Sequence, residues 1–481
     1  MSESLKEKSI NSFVWKTAQS VCTLGMTFVI QLVLARILAP EDFGVIAITT
    51  VFMTLANTVI ETSFSSSVIQ RDSLDNKLTS SIFFANLVLS LAVYAVLFFV
   101  APAISGFYKE PILVSVLRVQ GLRVVISGLY SVPQAFLNRK MKFRQLFFCS
   151  LAGSVAQAVT GLAMAYADMG VWALVVSTLA SSIVAGVLMI IIEPWKPDLF
   201  FSFRLVKDAL SFSSNVLAIR VVRKLFYNIR VLAIGKVYDT QILGFFNKGF
   251  QFPSTAMTVV DGSLTSVAFT SLSKLQNDKE KLLSSLRQYV RILMFICTPM
   301  MVGMALVAEP MVVVLLTEKW LDCVPFVQIV CFTQLLVPLN VKTTAFEALG
   351  DSGTSMILHV SSVILSLVLL VAAIPFSAHI MVLSGFVSSL ILHIAVSAAA
   401  SKKLDYKIFD QIKDALCGMI PTVAMAAAVI GAGFIDCGVF AKLCIQIIFG
   451  VAAFVVVAFI SKNKVFYSIL DIAKKKILRR K

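Results

Sequence analysis

Arg220, Arg223 and Lys224 interrupt an otherwise apolar stretch, "SFSSNVLAIRVVRKLFYNIRVLAIG". Their i, i+3, i+4 spacing puts them on one face of a helix, and Arg230 extends the same stripe. At ~1.5 Å per residue, Arg220 lies roughly 20 Å inward of Lys207. A second apolar stretch, "PILVSVLRVQGLRVVISGLYSVP", carries Arg118 and Arg123 about 10 and 18 Å from its start on the same rise. A charge held in hydrocarbon costs at least a few kcal/mol, so it usually faces a cavity. Guanidinium groups grip phosphate through paired hydrogen bonds, which makes a phosphorylated anion the natural ligand. Arg123, Arg220, Arg223 and Lys224 are the candidates. Arg118 and Arg230 are nearer a surface and also suit snorkelling or a structural ion pair.

Acids that could neutralise this stripe are missing at its depth. Glu61 and Asp261 fall near the basic ends of their apolar stretches, where they are candidates for coupling or gating. Glu309 and Glu347 also lie near ends. The histidines His359, His379 and His393 lack metal-ligand spacing, and the eight cysteines are scattered with no CxxC pair. No phosphate-binding Gly-Lys loop and no oriented Ser, His and acid set is present. The residues therefore predict neither an enzyme nor a self-contained ATP-driven pump, with no catalytic residue, metal or cofactor.

The elements that must position these bases are membrane helices. Of 481 residues, 58% are hydrophobic and only 14% charged, against about 25% charged in soluble domains. Mean hydropathy is +0.90. Apolar runs of about 20 residues span a bilayer as helices. Fourteen spans are expected, near 13–36, 43–66, 79–104, 112–134, 144–166, 171–193, 211–235, 241–268, 289–316, 324–348, 354–375, 379–400, 412–435 and 440–461.

The net charge of +16 comes without a nucleic-acid module, so it points to loops facing anionic lipid rather than to nucleic acid. Every second connection except "GDSG" at 350 to 353 is basic, as in "RKMKFR", "KLQNDKEK" and the tail "KKKILRRK", whereas the alternate ones hold almost no base. That alternation predicts both termini on the cytoplasmic side. The start "MSESLKEKSINSFVWK" is expected to be a retained cytoplasmic tail. Around 269 to 288, "FTSLSKLQNDKEKLLSSLRQ" has the apolar spacing of an amphipathic helix lying on the surface.

A shift of about 200 positions lays Arg36 over Lys236, Phe43 over Leu243, Gly44 over Gly244, Phe52 over Phe252 and Glu61 over Asp261. Duplication of a six-span unit follows. An even number of spans keeps equivalent helices pointing the same way, which gives a parallel pseudo-two-fold repeat with substrate between the halves. The expected fold is an all-α polytopic membrane protein of about 14 transmembrane helices. Residues 1–206 and 207–401 form two six-helix bundles, and 402–481 adds two helices and a basic tail. The stretch "RILAPEDFGVIAI" becomes a hairpin at the non-basic face, with Pro40, Glu41 and Asp42 opening a helix.

The segments "LARILAPEDFGVIAI", "APAISGFYKEP", "VPQAFLNRKMKFRQL", "WKPDLFFSF" and "IGKVYDTQILGFFNKG", in this order, resemble the polysaccharide transport branch of the MOP flippase superfamily, the O-antigen, colanic-acid and teichuronic-acid type exporters. The likeness covers roughly residues 10 to 355. It departs at "ETSFSSS", where the family pattern usually carries a glycine, and at Tyr238, where relatives tend to be small.

The resemblance implies flipping of an undecaprenyl-diphosphate-linked oligosaccharide across the bacterial inner membrane, by alternating access through a cationic lumen. Arg123, Arg220, Arg223 and Lys224 would line that lumen. It further implies a monomer, coupling to an H⁺ or Na⁺ gradient in some relatives, contact with membrane lipids, and partnership with polysaccharide polymerase and chain-length machinery. The alternative within the superfamily is a cation-coupled small-molecule (multidrug-type) antiporter, which would want acids at mid-membrane depth.

Overall fold

The computed structural model describes the backbone of residues 3–70, 76–468 and 471, with side chains described except at 3–13, 61–70, 204–216, 218, 219, 261–266 and 352. All regular structure among these residues is helical. The chain divides into two compact units, Met1–Gly244 and Phe245–Lys481.

The first unit holds α1 (Glu3–Ile37), α2 (Pro40–Gln70), α3 (Asn76–Tyr108), α4 (Ile112–Arg139), α5 (Phe143–Tyr166), α6 (Val171–Ile192) and α7 (Phe203–Val237). It also takes the first turn of α8 (Thr240–Lys274). Pro40 opens α2 at a position where its missing N–H costs nothing, and Glu41 and Asp42 follow in the first turn. The Asp42 carboxylate accepts from the Ala39 N–H at 3.2 Å. Met53, Ala56 and Ile60 of α2 bury against Leu97 of α3 and Val124 of α4. Leu137, Leu146, Cys149 and Met189 form a second core between α4, α5 and α6.

The connection from α6 to α7 reads as a linker but is tied down. Trp195 packs on Phe83 and Phe136, and its indole N–H donates to Asn76 Oδ1 at 2.8 Å. Asn76 donates in turn to Asp198 at 2.6 Å, and the Ser80 and Ser81 hydroxyls accept from the backbone N–H groups of Asp198 and Ser202. At the same end Lys140 and Lys142 both donate to Glu193. Burial pushes the Glu193 carboxyl up, but the two lysine hydrogen bonds outweigh it and hold it below the usual carboxylate range.

The second unit continues α8 and adds α9 (Lys279–Leu306), α10 (Ala308–Leu315), α11 (Val324–Gln334), α12 (Val341–Ala348), α13 (Ser352–Ala373), α14 (Ala378–Leu404), α15 (Ile408–Ala415), α16 (Met419–Gly433) and α17 (Val439–Ile460). Leu272, Leu286, Val290, Phe346 and Val396 lie in one fully buried cluster. The expected surface helix at 269 to 288 does not form. Instead α8 runs on to Lys274, and Asp278 caps α9 by accepting from the Lys281 N–H at 3.1 Å. The apolar residues that suggested an amphipathic helix, Leu272, Leu282 and Leu286, are the buried ends of two long helices.

Twelve helices among the described residues are long and apolar enough to cross a membrane. Fourteen were expected. The two without a counterpart among the twelve are α7 and α8, each 35 residues long and therefore of spanning length. The expected span at 324–348 is broken into α11, a 3₁₀ turn at Val337–Asn340 and α12. Pro338 in that turn supplies no N–H to continue the α-helical ladder.

Candidate functional site

Arg220, Arg223, Lys224 and Arg230 sit on α7, a helix that packs against α2 and α3. Arg, Lys, Leu and Ile keep this segment helical, since none competes for backbone hydrogen bonds. Arg220, Arg223 and Lys224 are exposed, as are the neighbouring Val222, Leu225 and Tyr227, so the helix is thinly covered over this stretch. Arg230, two turns on, is half-buried.

Arg118 and Arg123 project from α4, which also packs against α2 and α3. Both are half-buried. Arg118 is already engaged: its guanidinium lies 4.0 Å from the Phe98 ring centre, and its Nε donates to the Phe98 carbonyl at 3.4 Å. That is how a structural arginine is held. Among the described residues, no carboxylate pairs with Arg123, Arg223 or Lys224. The ion pairs that do form use Glu193, Asp278, Asp351, Asp410 and Asp414. Arg220, Arg223, Lys224 and Arg230 thus lie on α7 and Arg118 and Arg123 on α4, and both helices pack against α2 and α3. The side chains of Glu61 and Asp261 lie outside the described residues.

The far end of α7, away from the Glu193 cluster, is latched. Lys236 donates to the Phe107 carbonyl, with its ammonium 4.1 Å from the Phe107 ring centre. Tyr108 donates to the Leu232 carbonyl at 3.3 Å, and Thr240 to Glu110 at 3.4 Å. The start of α2 crosses the start of α8 with backbone against backbone. A Cβ on Gly44 would lie 1.8 Å from the Thr240 oxygen, and one on Gly244 would lie 2.0 Å from the Pro40 oxygen. Only glycine permits this approach. Asp239 caps α8 by accepting from the Ile242 N–H at 2.8 Å. The stretch "RILAPEDFGVIAI", expected as a hairpin, therefore also forms one side of a tight helix crossing.

Sequence reasoning passed over two buried lysines. Lys248 on α8 is fully buried and donates to Gln251 at 3.1 Å. Lys342 on α12 is 2% exposed and donates to Ser397 at 3.0 Å and Gln411 at 2.7 Å. Nearby, the buried Asp414 accepts from Arg287, Arg291 and Tyr406. A survey of bases inside every apolar stretch, not only the most basic two, would have found both.

Long apolar helices, a run of bases along α7 and a close glycine crossing define a polytopic helical membrane protein. The chain belongs to the polysaccharide biosynthesis protein family, whose profile matches residues 33–325. The lipopolysaccharide biosynthesis protein WzxC of Escherichia coli (strain K12) is 22% identical over 339 residues, 69% of this chain and 68% of that protein. The teichuronic acid biosynthesis protein TuaB of Bacillus subtilis (strain 168) is 22% identical over 351 residues, 72% of each chain. Among solved structures, the lipid II flippase MurJ in an inward closed conformation superposes with a TM-score of 0.72 at 16% identity, covering 95% of this chain and 99% of that one. The family expected from the motifs is thus borne out, and so is the all-helical membrane fold.

Proposed function

We propose that this chain is a non-enzymatic flippase for a lipid-linked oligosaccharide in polysaccharide biosynthesis. One observation carries the reading: in a member of this family, α7 presents Arg220, Arg223 and Lys224 exposed along a helix of spanning length, and no carboxylate pairs with Arg223 or Lys224 among the described residues. The relatives' names supply the substrate class, since lipopolysaccharide and teichuronic acid biosynthesis both concern glycans.

In this mechanism the undecaprenyl diphosphate is drawn to Arg123, Arg220, Arg223 and Lys224 while the prenyl chain stays in lipid. Charge-assisted hydrogen bonds replace the water that the diphosphate gives up. The bundles 1–206 and 207–401 rock about the repeat axis, and the Gly44 and Gly244 crossing closes the outer side while the inner side is open. An H⁺ or Na⁺ gradient drives the cycle, with Glu61 and Asp261 as coupling or gating residues. The protein works as a monomer in the bacterial inner membrane with both termini cytoplasmic, beside polymerase and chain-length machinery.

Transport of a labelled prenyl-diphosphate sugar in proteoliposomes tests this directly. Flipping should fall at least tenfold in Arg220→Ala and Arg223→Ala. Wild-type rates in both variants would remove the cationic site from the mechanism.

A further inference from the structure

A groove of ≈ 770 Å³ runs along α5 and α6, floored by Ala152 and Ala156 and walled by Phe148, Val159, Leu188 and Ile192. It is apolar throughout. Its size falls in the range of sites that hold a ligand. From Phe148 to Thr160 the helix rises roughly 18 Å, close to the ~15 Å of one leaflet's hydrocarbon.

The mouth is different. Phe148 lies under the Arg144 guanidinium at 5.9 Å, and the same guanidinium is 5.7 Å from the Trp15 ring. Trp15 and Phe148 are themselves in ring contact at 6.2 Å. Lys16 lies 5.6 Å from the Phe143 ring. Both bases are exposed, and among the described residues neither pairs with a carboxylate, whereas nearby Lys140 and Lys142 are taken up by Glu193. Lys142 precedes α5 without a side-chain cap, so the first N–H groups of that helix add positive potential at the same place.

We propose that this face binds one anionic membrane phospholipid, with an acyl chain along the α5 and α6 groove and its phosphate between Arg144 and Lys16. Charge complementarity selects an anionic headgroup. The length selects a resident lipid over the cargo, because the groove ends about one leaflet deep and a flipped lipid must move its headgroup to the other leaflet. The aromatic pair anchors the mouth at the headgroup level, where tryptophan is enriched. None of the candidate bases on α4 and α7 lines this groove.

The test is lipid titration of the purified full-length protein, read by native mass spectrometry and by thermal stabilisation. Phosphatidylglycerol and phosphatidylcholine with identical chains are compared, with undecaprenyl diphosphate as competitor. Phosphatidylglycerol should bind at least about 5-fold tighter than phosphatidylcholine. Arg144→Ala should lose about 5-fold of that preference, the ~1 kcal/mol expected for one base at an anionic surface. Arg144→Lys should retain most of it, and Ala156→Phe should block binding with the mouth intact. Equal binding of the two phospholipids would reduce the groove to ordinary lipid contact and overturn the proposal. An undiminished preference in the Arg144→Ala, Lys16→Ala double variant would place the lipid elsewhere, and displacement by undecaprenyl diphosphate would make this a cargo site. Either result also overturns it.

Discussion

Gly44 and Gly244 stand in a reciprocal relationship: each faces the backbone carbonyl of the other helix's first turn, Thr240 for one and Pro40 for the other. Two glycines that coincide when the sequence is shifted by 200 positions thus meet in space. Adding a methyl to either would force the backbones apart by about 1 Å, since real Cβ contacts stay beyond 3.0 Å. Overpacking of this kind costs ~1–3 kcal/mol, a 5- to 150-fold loss of the closed population on the usual conversion. Gly44→Ala and Gly244→Ala should therefore insert normally and slow flipping by about that factor. Gly25→Ala, which meets nothing within 4 Å, is the control and should flip at the wild-type rate. Full transport by Gly44→Ala would show that the crossing need not close.

The bases on α4 and α7 should separate by role. Arg223→Ala and Lys224→Ala are expected to weaken binding of undecaprenyl diphosphate by about 10- to 100-fold, since hydrogen bonds to charged groups contribute ~1.5–3 kcal/mol. Arg223→Lys should fall between, because a point charge replaces a planar fork. Arg118→Ala should mainly lower the melting temperature, because its partner is the Phe98 ring and carbonyl. Isothermal titration and thermal melting together read both effects.

Acid should loosen the Glu193 cluster. Its folded pKa lies below the unfolded one, so its stabilisation is present above the unfolded carboxylate range, near pH ~4.3, and is lost as pH falls through the folded value. Both lysines are more than a third exposed, which limits the contribution to about 1 kcal/mol or less. Melting of wild type and Glu193→Gln should differ slightly at pH 7 and converge near pH 3. A gap that widened on acidification would contradict the linkage.

Asp414 is the most demanding position in the second unit. It is 1% exposed and accepts from two arginines and a buried tyrosine. Removing one partner of such a set costs ~3–5 kcal/mol. Asp414→Ala should therefore melt far below wild type, while Arg291→Ala, whose side chain is 38% exposed, should lose much less. Comparable losses in both would argue that the network is already solvated.

The fold was largely legible because a membrane span needs little more than a run of apolar residues and a flank of the right charge. The places where the reading slipped share a cause. Pro338 and the turn at Val307 between α9 and α10 break expected spans, yet neither changes the hydropathy of its surroundings. The leucines near 269 to 288 have helical spacing whether they lie on a membrane surface or bury between two helix ends. Arg118 was expected to suit snorkelling or a structural ion pair as well as a cavity, and the Phe98 ring and carbonyl that hold it, twenty residues away, carry no signal in the sequence. Lys248 and Lys342 were invisible for the opposite reason: a lone base in a long apolar run barely moves a local average.

The connection from Glu193 to Ser202 carries two prolines and three charges, the composition of a spacer. Its hydrogen bonds to Asn76, Ser80 and Ser81 and the packing of Trp195 on Phe83 and Phe136 make it a strap. Tolerance of an insertion follows the bonding of the backbone rather than its composition. A reporter tag or protease site placed here would have to unpick the first turn of α3, so anyone dividing this protein into separately expressed halves should cut elsewhere.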